Sequence, residues 1–335
     1  MLIESADRDL DVAAQDVWRS YQIAEQGSLL RLGNAGGVSG ARFWRIQGRV
    51  GDWLLRAWPA GMDSLRLSTI HGLQRQARLA GLGFVPNVLT DQRGRTFDRA
   101  DGRLWQVESW MTGDCDGEPA RPRRVECACK AIAQLHLSWP KNGVGPCPAI
   151  QRRIQVMGEW NDFVRCHHGP FPQTILPRAL VSAAHEALQK GLRELPELLN
   201  PWQNKEWELQ YCLCDIWRPH VLFVGDCVSG VIDYGSVKID HVAGDVARLL
   251  GSWITLDQQL WDAGIRAYAE VKPLCAEERL LAAVLDRSGT TLSLATWLLW
   301  LWRDHRTFDN VSRAAGRLQW LVNRAARPPR EAIAY

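Results

Sequence analysis

No apolar run in this chain is long enough to cross a bilayer. The longest, Leu292 to Trp302, covers eleven residues between Arg287 and Arg303, whereas a spanning helix needs about twenty. It is expected to be a buried helix. Charge of one sign is also missing: 40 basic against 37 acidic residues leave +3, which argues for neither nucleic acid nor an anionic membrane as partner. The stretch Met1 to Asp9 is acidic and has no apolar signal core, so a cytoplasmic protein is expected. The nine cysteines lack the spacing of a small disulfide framework. Cys127 and Cys129 point to different faces of an expected helix, and Cys212 and Cys214 have no second ligand pair, so no structural zinc site is expected. Internal repeats and low-complexity tracts are absent. Nothing in the sequence speaks to oligomeric state.

What is present is ordinary soluble composition, 46% apolar and 23% charged, over 335 residues, a length that favours two domains or one bilobal unit. Seventeen tryptophans are expected mainly as core anchors. Residues 1–27 carry helical spacing through Leu10, Val12, Ala13, Val17 and Tyr21. Strands are expected at Ser28–Leu32, Ala41–Ile46 and Asp52–Trp58, the last stopped by Pro59. A helix is expected over 62–82 and a hairpin around Asp101-Gly102, followed by helices near 125–139, 150–166 and 176–195. Gly143 to Pro148 reads as a connection, and 256–326 as helical with a turn at Arg287-Ser288-Gly289. Between the first two strands, Gly33 to Gly40 holds four glycines in eight residues, so backbone amides can approach an anionic ligand closely. It is not a Walker A loop, since no Gly-Lys-Ser/Thr follows.

The stretch Tyr211–Asp233 organises the rest. Asp215 lies in a loop, His220 follows in the spacing D-x4-H, and Val221–Val224, a turn at Gly225-Asp226 and Gly230–Ile232 lead to Asp233. A hairpin therefore gathers two carboxylates and an imidazole. This suits phosphoryl transfer, in which one acid meets the proton of the attacking hydroxyl while groups at the hairpin ends hold a divalent ion against phosphates. At these residues the chain resembles the aminoglycoside phosphotransferase and choline kinase-like family, relatives of the protein kinases. The family pattern is H-G-D-x4-N, strand, turn, strand, D-x-G. Here it reads Leu213-Cys214-Asp215, then His220, then Asp233-Tyr234-Gly235.

That resemblance implies an α+β, bilobal protein kinase-like fold, with a small antiparallel-sheet lobe over residues 1–111 and a larger, mainly helical lobe over 112–335. It implies ATP- or GTP-dependent transfer to the hydroxyl of a small molecule. Asp215 is the expected catalytic base or orienting carboxylate, Asp233 and His220 are the expected ligands of Mg2+ or Mn2+, and Gly36, Gly37, Val38, Ser39 and Gly40 the expected phosphate cover. Arg56 stands where the family has a phosphate-binding lysine. Glu108, Trp110 and Met111 stand where backbone meets the adenine edge. The chain departs from the pattern at Leu213-Cys214, at Arg56, at His220 and in a 62–82 helix without glutamate. Imidazole is a poorer partner for Mg2+ than oxygen, so for His220 a softer metal, a hydrogen-bonding role and lost catalysis all stay open. A protein that binds nucleotide or metabolite without transfer is the rival expectation. In Gly244–Gly251, Asp245 is expected to anchor the Asp215 loop, and His136 to be a hydrogen-bonded core residue.

Overall fold

A five-stranded antiparallel sheet, ordered β1-β2-β3-β5-β4, forms the frame of the first half of the chain. Its strands are β1 (Ser28–Gly33), β2 (Arg42–Gln47), β3 (Asp52–Ala57), β4 (Asp98–Ala100) and β5 (Arg103–Ser109). The computed structural model describes residues 2–21, 28–34, 40–49, 51–117, 119–167, 172–253, 257–308 and 310–326, with side chains from Leu10 onward. Side chains alternate across a sheet, and that alternation sorts this one. Trp44, Ile46, Leu55, Ala57, Trp105 and Val107 pack against Leu10, Ala14, Val17, Trp18 and Tyr21 of the amino-terminal segment, whose helix α1 runs Leu2–Arg19. The register sets Arg56 opposite Gln106 and Leu54 opposite Glu108, so Arg56, Gln106 and Glu108 share the other face. Helix α2 (Ser64–Leu79) meets that face. It is capped by Asp63, whose carboxylate accepts from the Arg66 amide. The β4–β5 turn has positive φ at both Asp101 and Gly102, the type I′ geometry that matches strand twist.

Contacts divide the described chain into one unit of residues 1–115 with 220–235, and another of 116–219 with 236–335. From sequence a single cut was expected between 111 and 112. The hairpin β9 (Val221–Val224) and β10 (Cys227–Val231) joins the first unit because β9 pairs with β6 (Asp114–Cys115) and the Val231 amide donates to Phe84 O at 2.8 Å.

The second unit is mainly helical: α3 (Pro122–Ser138), α4 (Pro148–Cys166), α5 (Arg178–Leu192), α6 (Leu195–Leu199), α7 (Ala243–Trp253), α8 (Gln258–Ala269), α9 (Ala276–Trp302) and α10 (Val311–Ala325). Among its buried anchors are Trp160, Trp297, Leu298, Trp302 and Leu318, as expected for the tryptophans. Within the same unit β7 (Lys141–Pro146), β8 (Glu206–Cys212) and β11 (Lys238–Asp240) form a sheet ordered β11-β8-β7.

Three local expectations are corrected. The expected connection Gly143–Pro148 begins as strand β7, bulged between Lys141 and Val144, because β8 supplies the hydrogen-bond partners that composition cannot reveal. The expected turn at Arg287-Ser288-Gly289 lies inside α9: Arg153 donates to Ser288 Oγ at 3.0 Å and to Leu285 O at 2.8 Å, and its guanidinium fills the space over Gly289. A glycine costs a helix only about 1 kcal/mol, against about 1.5–3 kcal/mol for a hydrogen bond to a charged group such as Arg153. Val12, one of the helically spaced apolar residues of the amino-terminal segment, is exposed. No helix among the described residues is long and apolar enough to cross a membrane.

Candidate active site

In the second unit, Asp215 sits in a loop held from below by a buried carboxylate. Asp245, in the first turn of α7 and 1% exposed, accepts from the Leu213 amide at 2.6 Å and the Cys214 amide at 2.7 Å. A carboxylate only accepts, so His136 Nε2, at 3.0 Å, is the donor. In the neutral ring Nδ1 then accepts from Tyr268 Oη at 2.7 Å. The expected roles of Asp245 and His136 are thus met in hydrogen bonds. Cys214 has φ +62°, a left-handed conformation that favours glycine. The family pattern has glycine there, and this chain carries the strain on a cysteine.

Arginines surround Asp215. Arg248 forms an ion pair with its carboxylate. Arg317 of α10 stacks its guanidinium 4.1 Å from the ring of Trp217, two residues beyond Asp215. Arg313 lies one turn earlier on α10. Burial lowers the pKa of Arg317, and the like charges of Arg248 and Arg313 add to this against the pull of Asp215. Neither Arg313 nor Arg317 forms an ion pair among the described residues.

In the first unit, the His220 carbonyl accepts from the Ile232 amide at 2.9 Å, which brings the two ends of the β9–β10 hairpin together. His220 Nε2 lies 3.8 Å from Asp233 Oδ2. Arg56 Nη1 and Nη2 each lie 3.4 Å from Asp233 Oδ1. Asp233, 42% exposed, has φ +64°, a conformation that costs about 1–3 kcal/mol and collects at functional sites. Burial pushes its carboxyl up, but Arg56, His220, the Gly235 amide and the Arg56 hydrogen bonds outweigh this and hold it below the usual carboxylate range. A Cβ at Gly235 would lie 3.1 Å from Arg56 Nη2 and 3.3 Å from Trp58 Cζ3, so the small residue lets the guanidinium close on the acid.

Behind Arg56 lies a buried polar network that sequence reading did not assemble. Trp58 Nε1 donates to Gln106 Oε1 at 2.7 Å. Indole is donor-only, which fixes the amide and turns Gln106 Nε2 to Glu108 Oε2 at 3.0 Å. His71 Nε2, at 2.9 Å from the same Oε1, must then carry the proton. Burial lowers the pKa of His71 to about 4, with Arg56 adding to it against the Gln106 hydrogen bond. Gln74 Nε2 donates to Glu108 Oε2 at 3.3 Å. Burial raises the Glu108 carboxyl, with Asp233 adding to it, against the charge of Arg56 and the two amide donors. The available signal was Gln106 and Glu108 alternating in an otherwise apolar strand, which usually marks a solvated face; here α2 covers it.

Among the other expected residues, Gly40 has φ +81°, while Gly36, Gly37, Val38 and Ser39 lie outside the described residues. The Glu108 backbone is inside β5, opposite Leu54. The Trp110 amide donates to Asp52 O at 3.0 Å, and Met111 packs against Gly230, where a Cβ would lie 2.8 Å from Met111 Cβ.

A sequence model of the phosphotransferase enzyme family matches residues 32–281. A homoserine kinase of Rhodopseudomonas palustris (strain TIE-1) is 27% identical over 307 residues, covering 87% of this chain and 86% of that protein. The crystal structure of an aminoglycoside phosphotransferase from Alicyclobacillus acidocaldarius is similar with TM-score 0.63 and 14% identity, over 93% of this chain and 92% of that one. A spectinomycin phosphotransferase in complex with ADP and spectinomycin is similar with TM-score 0.64 and 11% identity, over 94% and 97%. The structural likenesses give the fold, a mixed α/β protein kinase-like one with antiparallel sheets.

Proposed function

The chain belongs to the phosphotransferase enzyme family, and from that premise we propose that it transfers the γ-phosphoryl group of ATP to the side-chain hydroxyl of a small hydroxy amino acid, homoserine or a close analogue. The observation that carries the choice of acceptor is the arginine surround of Asp215. Arg248 and the Trp217-stacked Arg317 suit an acceptor bearing a carboxylate and repel a polycationic one. The likeness to a homoserine kinase over most of both chains supports the same acceptor.

Asp215 is assigned the acceptor hydroxyl, which it orients and whose proton it receives. Arg56 is assigned the phosphates, and the segment from Gly36 to Gly40 their cover. Trp110 and Met111 are assigned the adenine side, to which they bring backbone beyond the end of β5. Glu108, which the resemblance also set there, lies inside β5 and is assigned to the Arg56 face of the sheet instead. The half-exposed Asp233 fits a divalent ion, Mg2+ or Mn2+, as a hard oxygen donor. The imidazole of His220, 3.8 Å away, fits Mg2+ less well than Mn2+. Held by Asp233, such an ion would neutralise charge on the nucleotide phosphates. GTP in place of ATP is an alternative donor. Free metabolites and nucleotide as substrates fit a cytoplasmic location.

The test is ADP release and 31P NMR with L-homoserine, L-threonine and L-serine, under Mg2+ and under Mn2+, with Asp215→Asn as control. Transfer lost in that variant is expected. Nucleotide binding with no transfer to any of these acceptors would replace the proposal with a binding protein.

A further inference from the structure

A guanidinium buried among aromatic rings needs a counter-charge. Removing a charge from water costs several kcal/mol unless another charge offsets it. Arg56 is almost fully buried, 3.6 Å from the ring centre of Trp58 and 5.2 Å from that of Phe43. Its Nε has no hydrogen-bond partner among the described residues. Among the described residues the one carboxylate bonded to it, Asp233, is half exposed, sits at 3.4 Å, and is assigned above to a divalent ion. Helix α2 contains no acidic residue at all. The remaining buried carboxylate on the Arg56 face of the sheet is Glu108, diagonal to Arg56 across the β3–β5 pairing and held by Gln74 and Gln106.

We propose that Glu108 is the positioning residue for Arg56. The acidic partner of the phosphate-binding cation is delivered by strand β5, and α2 contributes only Gln74 to hold it. The inference rests on the assignment of Arg56 to phosphate. Glu108 acts through Arg56 and touches no substrate. Its place in the interior leaves the outer Nη atoms of Arg56 directed toward Asp233 and the phosphates. When Asp233 turns to a divalent ion, the buried guanidinium still has a neighbouring charge. The 3.3 Å contact between Gln74 Nε2 and Glu108 Oε2 makes the partner transferable, because exchanging the two side chains keeps one amide, one carboxylate and the hydrogen bond between them.

The experiment measures binding of ATP with Mg2+ and of adenosine by calorimetry to wild type, E108Q and the exchange variant E108Q/Q74E, with Tm for each. E108Q is expected to bind ATP about ten- to a hundredfold more weakly, the loss of one charge-assisted partner. Its adenosine affinity should be unchanged, since adenosine has no phosphate for Arg56 to hold. The exchange variant should recover ATP affinity to within about threefold. E108Q binding ATP as tightly as wild type would mean an uncharged carboxyl and would overturn the proposal. Equal weakening for ATP and adenosine would do the same, because it marks a packing defect. Should E108Q not fold, the exchange variant carries the test: wild-type ATP affinity supports the proposal and its loss refutes it. A wild-type protein that binds no ATP would instead remove the phosphate assignment of Arg56, and this inference with it.

Discussion

Asp245 offers the sharpest perturbation, because replacing it with Asn changes one atom and one charge. Its two oxygens take three donors, the Leu213 amide at 2.6 Å, the Cys214 amide at 2.7 Å and His136 Nε2 at 3.0 Å. An asparagine has only one accepting oxygen. Whichever way it turns, its NH2 faces a backbone N–H, and one loop amide is left without an acceptor in a place 1% exposed. A hydrogen bond to a charged group contributes about 1.5–3 kcal/mol, and a stranded buried donor adds to the loss. The expected destabilisation is therefore about 3 kcal/mol, or roughly 6–12 °C in Tm for a unit of this size. The residue after Cys214 is Asp215, so the loop that relaxes is the one that presents the acid. A displacement of about 1 Å at a reacting group costs on the order of a hundredfold in rate. ADP release with homoserine should show kcat down by about that factor, while KM for ATP stays within about twofold, since Asp245 bonds to none of the residues assigned to nucleotide. An Asp245→Asn protein with wild-type Tm and kcat would refute the anchoring role.

Other outcomes follow from the same geometry. Cys214→Gly relieves a left-handed φ of +62° and should raise stability by up to about 1 kcal/mol, read as a small rise in urea midpoint. A fall of more than that would show that the thiol matters more than the backbone. His71 is neutral when folded, with its pKa lowered to about 4 from 6.5. The unfolded chain therefore takes up this proton first as pH falls. The contribution is complete above about pH 6.5 and is lost progressively down to about pH 4, a span of about 3 kcal/mol. His71→Gln keeps a donor for Gln106 and should flatten that part of the stability profile relative to wild type. Arg317→Ala removes a guanidinium from the surround of Asp215. It should raise KM for homoserine about tenfold or more and leave KM for ATP alone. An unchanged KM for homoserine would move the carboxylate contact elsewhere.

The chain order of helix and strand was legible because it rests on local rules: helical spacing in the amino-terminal segment, short strand runs stopped by turns and by Pro59, the glycine turns, and the D-x4-H and D-x-G spacings that led to the family. Asp215 and Asp233 were singled out by those spacings, and the hairpin between Val221 and Val231 accounts for His220 lying near Asp233. What periodicity cannot state is what covers a face. Gln106 and Glu108 alternate as a solvated edge would, and only the packing of α2 makes them a buried network around Arg56. Gly289 reads as a break until Arg153 fills the space beside it, and the segment after Lys141 reads as a connection until β8 pairs with it. The left-handed turn at Cys214 was marked only by the glycine that the family pattern has there. The sequence by itself determined the family and the order of the candidate groups along the chain. Tertiary structure alone decided their charge partners and burial, because desolvation and counter-charge depend on neighbours brought from distant parts of the chain.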